Sequence, residues 1–213
     1  MKTFLKVLMG LLLFSSCTTN QAQQPGTIIE NVDAKTFKTL VDSGKGIILD
    51  VRTPGEVSKG AIKNASTINI YDDDFETKIN LMQKDKEIYV YCKSGGRSSD
   101  AAEILQKNGF TKIYNLKGGI TAWENNGFPI VKTENTKDEK IQQVTLADFK
   151  KLLSSNNLVL VDFHTEWCAP CKKMAPIIDE LENTYKDKAV LMRIDVDKSK
   201  ELGKEFKIQG VPV

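Results

Sequence analysis

Apolar residues along this chain alternate between two periods. Phe37, Leu40 and Val41 fall at helical spacing behind Asp33, whose carboxylate can cap a first turn. Ile47-Ile48-Leu49 is a continuous apolar run and predicts a buried strand. Thr53-Pro54 predicts a helix start, because Pro in the first turn gives up an N–H that lacks a partner there. The alternation continues with a strand over 67–70, a helix face of Phe75, Ile79 and Met82, and a strand Ile88-Tyr89-Val90-Tyr91. A helix carrying Ala101, Ala102, Ile104 and Leu105 then ends at Asn108-Gly109, and a strand follows over 112–115. After residue 140 the pattern restarts. Thr145 can cap a helix carrying Leu146, Phe149, Leu152 and Leu153, and a strand covers 158–163. A helix beginning near Cys171 carries Met174, Ile177, Ile178, Leu181 and Tyr185; a strand over 189–194 and a short helix over 202–206 complete the series. Strands alternating with helices predict parallel sheets of the α/β class.

Two polar stretches divide the chain. Residues 18–26, ending in Pro25-Gly26, read as a tether, and 132–140 contains no apolar residue and reads as an interdomain linker. The domains are therefore expected at 27–131 and 141–213. With 213 residues, 40% hydrophobic and 27% charged, each has enough apolar material for a core. Lys and Arg number 30 against 28 Asp and Glu, so no basic field exists to attract nucleic acid. A single His excludes a multi-histidine metal site.

The N-terminus is different material. Lys2 and Lys6 precede the apolar run 7–14, which is too short to span a bilayer and reads as an export signal. Ser15-Ser16-Cys17 resembles the lipobox of bacterial lipoproteins, with Phe14 where Leu is usual. The resemblance implies cleavage before Cys17 and lipidation of Cys17, giving a lipid-anchored protein of the cell envelope that faces the periplasm. The alternative is a plain secretory signal with an incidental Cys. Removing residues 1–16 takes away two lysines and no acids, so the mature chain has balanced charge.

Of four cysteines, Cys168 and Cys171 form a C-x-x-C pair, and too few others exist for a disulfide scaffold. The pair lies between a strand and a helix. This spacing puts Cys168 at the helix N-terminus, where free N–H groups and the helix dipole favour its thiolate, and Cys171 about a turn inside. Cys168 can then attack a disulfide and Cys171 resolve the mixed species. Pro170 fits the first turn because it lacks an N–H. A C-x-x-C can also be half of a zinc site, but no second Cys pair or His cluster completes one. A disulfide without a redox role is the remaining alternative.

Val161-Asp162-Phe163, Glu166-Trp167-Cys168-Ala169-Pro170-Cys171-Lys172, Ile194-Asp195-Val196-Asp197 and Gly210-Val211-Pro212 resemble the thioredoxin family. The resemblance implies that Asp162 assists proton transfer to Cys171. It also implies that Pro212 is cis and helps bind an extended substrate segment, and that Trp167 supports the dithiol. Ala169 departs from the Gly of general-purpose thioredoxins, and His164 stands where they have a large aromatic. The family's sheet continues past the Pro, so 141–213 is expected to be an incomplete thioredoxin fold and the chain a fragment of a longer protein.

Cys92-Lys93-Ser94-Gly95-Gly96-Arg97-Ser98 also joins a strand to a helix. Its glycines allow successive N–H groups to turn inward and form an anion nest, to which the helix dipole and Arg97 add positive potential. With Leu49-Asp50-Val51-Arg52-Thr53-Pro54, Glu56, Gly60-Ala61-Ile62 and Gly118-Gly119-Ile120-Thr121-Ala122-Trp123, this loop resembles the single-domain rhodanese family. The resemblance implies that Cys92 is the nucleophile accepting sulfane sulfur, that Lys93, Ser94, Gly95, Gly96 and Arg97 hold the substrate anion, and that Asp50 and Arg52 are structural. Ala61 stands where His is common. Cysteine phosphatases and arsenate reductases carry one more residue between Cys and Arg, and the smaller ring here suits sulfur better than a tetrahedral oxyanion.

The expected molecule is a rhodanese-like parallel sheet flanked by helices, followed by a thioredoxin-like domain, without cofactor or metal. Its expected activity is thiol–disulfide exchange joined to sulfur transfer from thiosulfate or a polysulfide, with Cys168 and Cys171 reducing a persulfide on Cys92. Expected partners are a sulfane-sulfur donor, a thiol or disulfide protein substrate and a membrane electron donor or acceptor. The dithiol motif leaves the direction, reductase or oxidase, open. The competing reading makes the rhodanese-like part a binding module that presents the dithiol to a partner.

Overall fold

The computed structural model describes residues 26–132 and 143–213. The signal segment, Cys17, nearly all of the tether and most of the linker lie outside the described residues.

The first unit is a five-stranded parallel sheet. Its strands are β1 (Ile28–Val32), β2 (Ile47–Asp50), β3 (Ser66–Thr67), β4 (Ile88–Tyr91) and β5 (Lys112–Leu116), in the order β1-β5-β4-β2-β3. Strands β2 and β4 are buried along their whole length and almost entirely apolar, because helices cover both faces. Alternate residues serve different cores. Ile47, Leu49, Ile88 and Val90 join Leu105 and Phe110 on one side. Ile48, Tyr89 and Tyr91 join Phe37 and Trp123 on the other, where Phe37 meets Tyr89, Tyr91 and Trp123 edge-on at 6.2, 6.4 and 6.2 Å. The helices are α1 (Ala34–Ser43), α2 (Pro54–Val57), α3 (Phe75–Ile79), α4 (Gly96–Lys107) and α5 (Gly119–Asn125). Asp33 caps α1 by accepting from Thr36 N–H at 2.8 Å.

The second unit pairs β6 (Val159–His164) with β7 (Val190–Asp195) in parallel register, from Val159 opposite Val190 to His164 opposite Asp195. Helices α6 (Leu146–Ser155), α7 (Ala169–Tyr185) and α8 (Lys200–Glu205) surround them. A capping box of Thr145 and Asp148 starts α6. Phe163 and Val213 exchange backbone hydrogen bonds of 2.7 and 3.3 Å along the free side of β6.

Four elements depart from expectation. Strand β1 was not anticipated, because only Val32 of its five residues is buried and it carries no apolar alternation. The strand expected over 67–70 is the pair Ser66–Thr67; Asn69 then turns the chain, its amide donating to Asp72 Oδ1 and its oxygen accepting from Tyr71 N–H. Helix α7 begins at Ala169 rather than near Cys171, with Cys168 as its N-cap. Helix α5 follows two left-handed glycines that the sequence pattern did not read as a helix start.

The units also touch. Thr67 N–H donates to Trp167 O at 3.4 Å, Ala169 N–H to Ser66 Oγ at 3.0 Å, and Val211 N–H to Leu81 O at 2.9 Å. One apolar cluster runs from Ile88 and Leu105 through Ile79 and Met82 to Cys168, Phe163 and Val211.

Candidate functional site

Strand β4 delivers Cys92 to the carboxyl edge of the first sheet, where the chain turns into α4. Gly95 makes the turn possible with φ of 103°, a conformation that costs a side chain dearly. Its N–H donates to Cys92 Sγ at 3.1 Å, and the Ser98 hydroxyl lies 3.4 Å from the same sulfur. Burial pushes the Cys92 thiol up, since Cys92 is only 1% exposed. The hydrogen bonds from the Ser98 hydroxyl and from the backbone N–H groups of Ser98, Gly95 and Ser94 outweigh that, and the thiol sits below its ordinary value. The arrangement is a nest that favours negative charge on sulfur.

A second backbone braces the loop from behind. Ile120 N–H donates to Cys92 O at 2.9 Å, and Thr121 donates to Lys93 O from its N–H at 3.2 Å and its hydroxyl at 3.0 Å. Gly119 must be glycine for this approach: its φ is 58°, and a Cβ there would lie 2.5 Å from Cys92 O. The buried Asp50–Arg52 pair, 2.6 Å at its shortest, ties the end of β2 to Gly60 O at 2.7 Å.

Arg97 is held by Glu56 beside the loop, where its charge also acts on Cys92. Its guanidinium pairs with both carboxylate oxygens of Glu56 at 2.7 Å and lies over the Tyr71 ring. This pairing holds the Glu56 carboxyl down at about 2, helped by the Thr53 hydroxyl and N–H and opposed by burial. Lys93, Ser94 and Gly96 are exposed at the loop rim, and Lys93 with Arg52, Lys59 and Ile120 lines a cleft of about 210 Å³. Glu56, Gly119 and Thr121 thus support the site without having been read as functional. Their signal was in the sequence, as members of the rhodanese-like motifs, but their partners are distant in the chain.

The dithiol is oxidised. Cys168 and Cys171 form a disulfide with Cα atoms 5.3 Å apart. Cys168 caps α7, its sulfur accepting from Cys171 N–H at 3.1 Å, and Pro170 occupies the first turn. The Trp167 ring is fixed by a 2.7 Å bond from Nε1 to Asp197. Asp162 is buried beneath on β6. Burial pushes its carboxyl up, against the opposing pull of His164 and of Arg193, 3.7 Å away, and Oδ1 has no hydrogen-bond partner among the described residues. The Val211–Pro212 peptide bond is cis.

Strand β2 lies between β4, which leads into Cys92, and β3, which touches the dithiol loop, and Cys92, Cys168 and Cys171 belong to one buried apolar cluster.

Residues 33–126 match the family model of the rhodanese-like domain, and residues 140–213 match thioredoxin. A sulfurtransferase of Allochromatium vinosum is 32% identical over 108 residues, covering 99% of that protein and 50% of this chain. A thioredoxin of Rickettsia felis is 41% identical over 70 residues, covering 67% of that protein and 32% of this chain. The chain belongs to the rhodanese-like family in its first unit and to the thioredoxin family in its second. A solved rhodanese-related protein from Thermoplasma volcanium is 30% identical, covering 48% of this chain and 97% of that one, with a TM-score of 0.43. The chain spans 44% to 65% of the length of three further thioredoxin relatives. The rhodanese-like and thioredoxin domains support thiol redox and sulfurtransferase-type chemistry.

Proposed function

We propose that Cys92 accepts sulfane sulfur from an anionic donor and that the Cys168/Cys171 dithiol removes it as sulfide. The observation that carries this reading is the Cys92 sulfur, which sits in a nest of N–H and O–H donors in the same chain as a C-x-x-C disulfide. With thiosulfate, the Cys92 thiolate attacks the outer sulfur, the S–S bond breaks, and sulfite leaves with its electron pair. The nest then stabilises the charge on the persulfide. Reduced Cys168 attacks the inner sulfur or accepts the outer one. Cys171 closes the disulfide, and the net products are Cys92 thiol, the Cys168–Cys171 disulfide and one hydrogen sulfide. Each further turnover takes two electrons from an external dithiol, which in our reading a membrane partner carries. Export, a lipid on Cys17 and a periplasmic location complete the proposal, supported by Lys2, Lys6, the apolar run and Ser15-Ser16-Cys17.

Intact-mass analysis after thiosulfate treatment tests the first step. The expected result is one added sulfur on the chain, absent from Cys92→Ser. A chain that gains no sulfur sinks the catalytic reading. The binding-module reading then gains, supported by the pairing of Arg97 with Glu56.

A further inference from the structure

Three backbone groups surround the dithiol, and all three end on the rhodanese-like unit. Trp167 O, just before Cys168, accepts from Thr67 N–H, and Ala169 N–H, just after it, donates to Ser66 Oγ. Val211 N–H donates to Leu81 O at 2.9 Å. Strand β3 is the edge of its sheet, so the Thr67 N–H would otherwise face solvent unpaired. The contact works as strand-edge recognition does, through main-chain groups. Its consequence is burial: Cys168 is 2% and Cys171 6% exposed. The seam is not closed completely. A cleft of about 190 Å³ reaches it between Lys63 and Asn64 on one side and Ala169, Pro170 and Lys173 on the other. A small thiol fits there; a folded protein does not.

We propose that the β3 edge with Leu81 is an interaction surface for the dithiol face of the same chain, and that this contact masks the dithiol from protein substrates. A substrate gains access by offering an extended segment whose N–H and C=O groups replace those of Thr67 and Leu81. The masking rests on the reading that Cys168 and Cys171 exchange with protein disulfides.

The test uses the full chain and a variant carrying Ser66→Ala and Leu81→Glu, which removes one acceptor and sets a charge in the seam. Dithiothreitol supplies two electrons and two protons to the Cys168–Cys171 disulfide, and the dithiol passes them to an insulin disulfide. If the masked form dominates ten to one, the variant reduces insulin about tenfold faster than the parent. Sulfur loading of Cys92 and the circular dichroism spectrum should be unchanged. Hydrogen exchange at the Thr67 and Val211 amides of the unaltered oxidised chain gives a second readout that needs no variant. Slow exchange at both supports the contact; fast exchange at both overturns it. A folded variant that reduces insulin at the parent rate overturns the masking. Protected amides with no insulin reduction by any form support the contact and overturn the thiol-exchange reading.

Discussion

Two forces act on the Cys92 sulfur in opposite directions. Burial favours the neutral thiol, and the donors from Ser98, Gly95 and Ser94 favour the thiolate, which wins. Ser98→Ala removes the side-chain donor that the described residues give this sulfur, so the thiol value should rise and sulfur uptake at pH 7 should fall. The pH dependence of Cys92 alkylation measures the shift; an unchanged midpoint would remove Ser98 from the account. Glu56 pairs with Arg97 beside the nest. Glu56→Gln should lower the KM for thiosulfate by freeing positive charge, while costing about 2 kcal/mol of stability. Because the Glu56 carboxyl is depressed in the folded chain, its contribution is present above the ordinary value of 4.5 and fades as pH falls toward about 2. The stability gap measured by urea unfolding of both proteins should therefore narrow from pH 6 to pH 3. Asp162 has the opposite sign. Its carboxyl is raised by burial, so ionisation costs stability above its ordinary value, and that cost is relieved as pH falls through the raised one. Asp162→Asn should raise the thermal midpoint at pH 7, lose that advantage in acid and slow dithiol exchange; a lower midpoint at pH 7 would contradict it.

At the scale of elements, the site depends on how closely two glycine turns approach. Gly119→Ala would drive a methyl group into the Cys92 and Lys93 backbone. Overpacking of this kind costs about 1–3 kcal/mol, and sulfur uptake should fall with it, measured by chemical denaturation beside mass analysis. The regular helices and inner strands were legible because their pattern is local: Phe37 at helical spacing behind Asp33, and Ile88 to Tyr91 as an unbroken apolar run. The loop motifs around Cys92 and Cys168 were legible for the same reason. What escaped was relational. Strand β1 is nearly all exposed and is held by backbone pairing to β5, which leaves no apolar signature. The orientation of Arg97 depends on Glu56, which lies on a separate helix and reaches it across space. The Arg97 charge thus acts on both Glu56 and Cys92.

At the scale of the molecule, two chemistries share one chain, and its two units dock against each other. Cys92 lies buried at the end of β4, and the dithiol is covered at the β3 edge. The polar stretch that divides the chain suggested two free units joined by a tether. Contacts made by Ser66, Thr67 and Leu81 join them instead, and their pairing partners lie a hundred or more residues away in the sequence. A domain surface of this kind is built from backbone groups, which every sequence carries, so the amino-acid pattern could not announce it. The account's central claim is that sulfur taken up at Cys92 leaves through Cys168 and Cys171. A single-turnover experiment tests it most directly: the reduced chain is loaded with thiosulfate, and released sulfide and the mass of the protein are followed together. The prediction is one sulfide per chain, released as the protein loses the sulfur and two hydrogens to form the disulfide, with Cys168→Ser retaining its persulfide. Equal sulfide release from Cys168→Ser, or a persulfide that persists beside an intact dithiol, would contradict it.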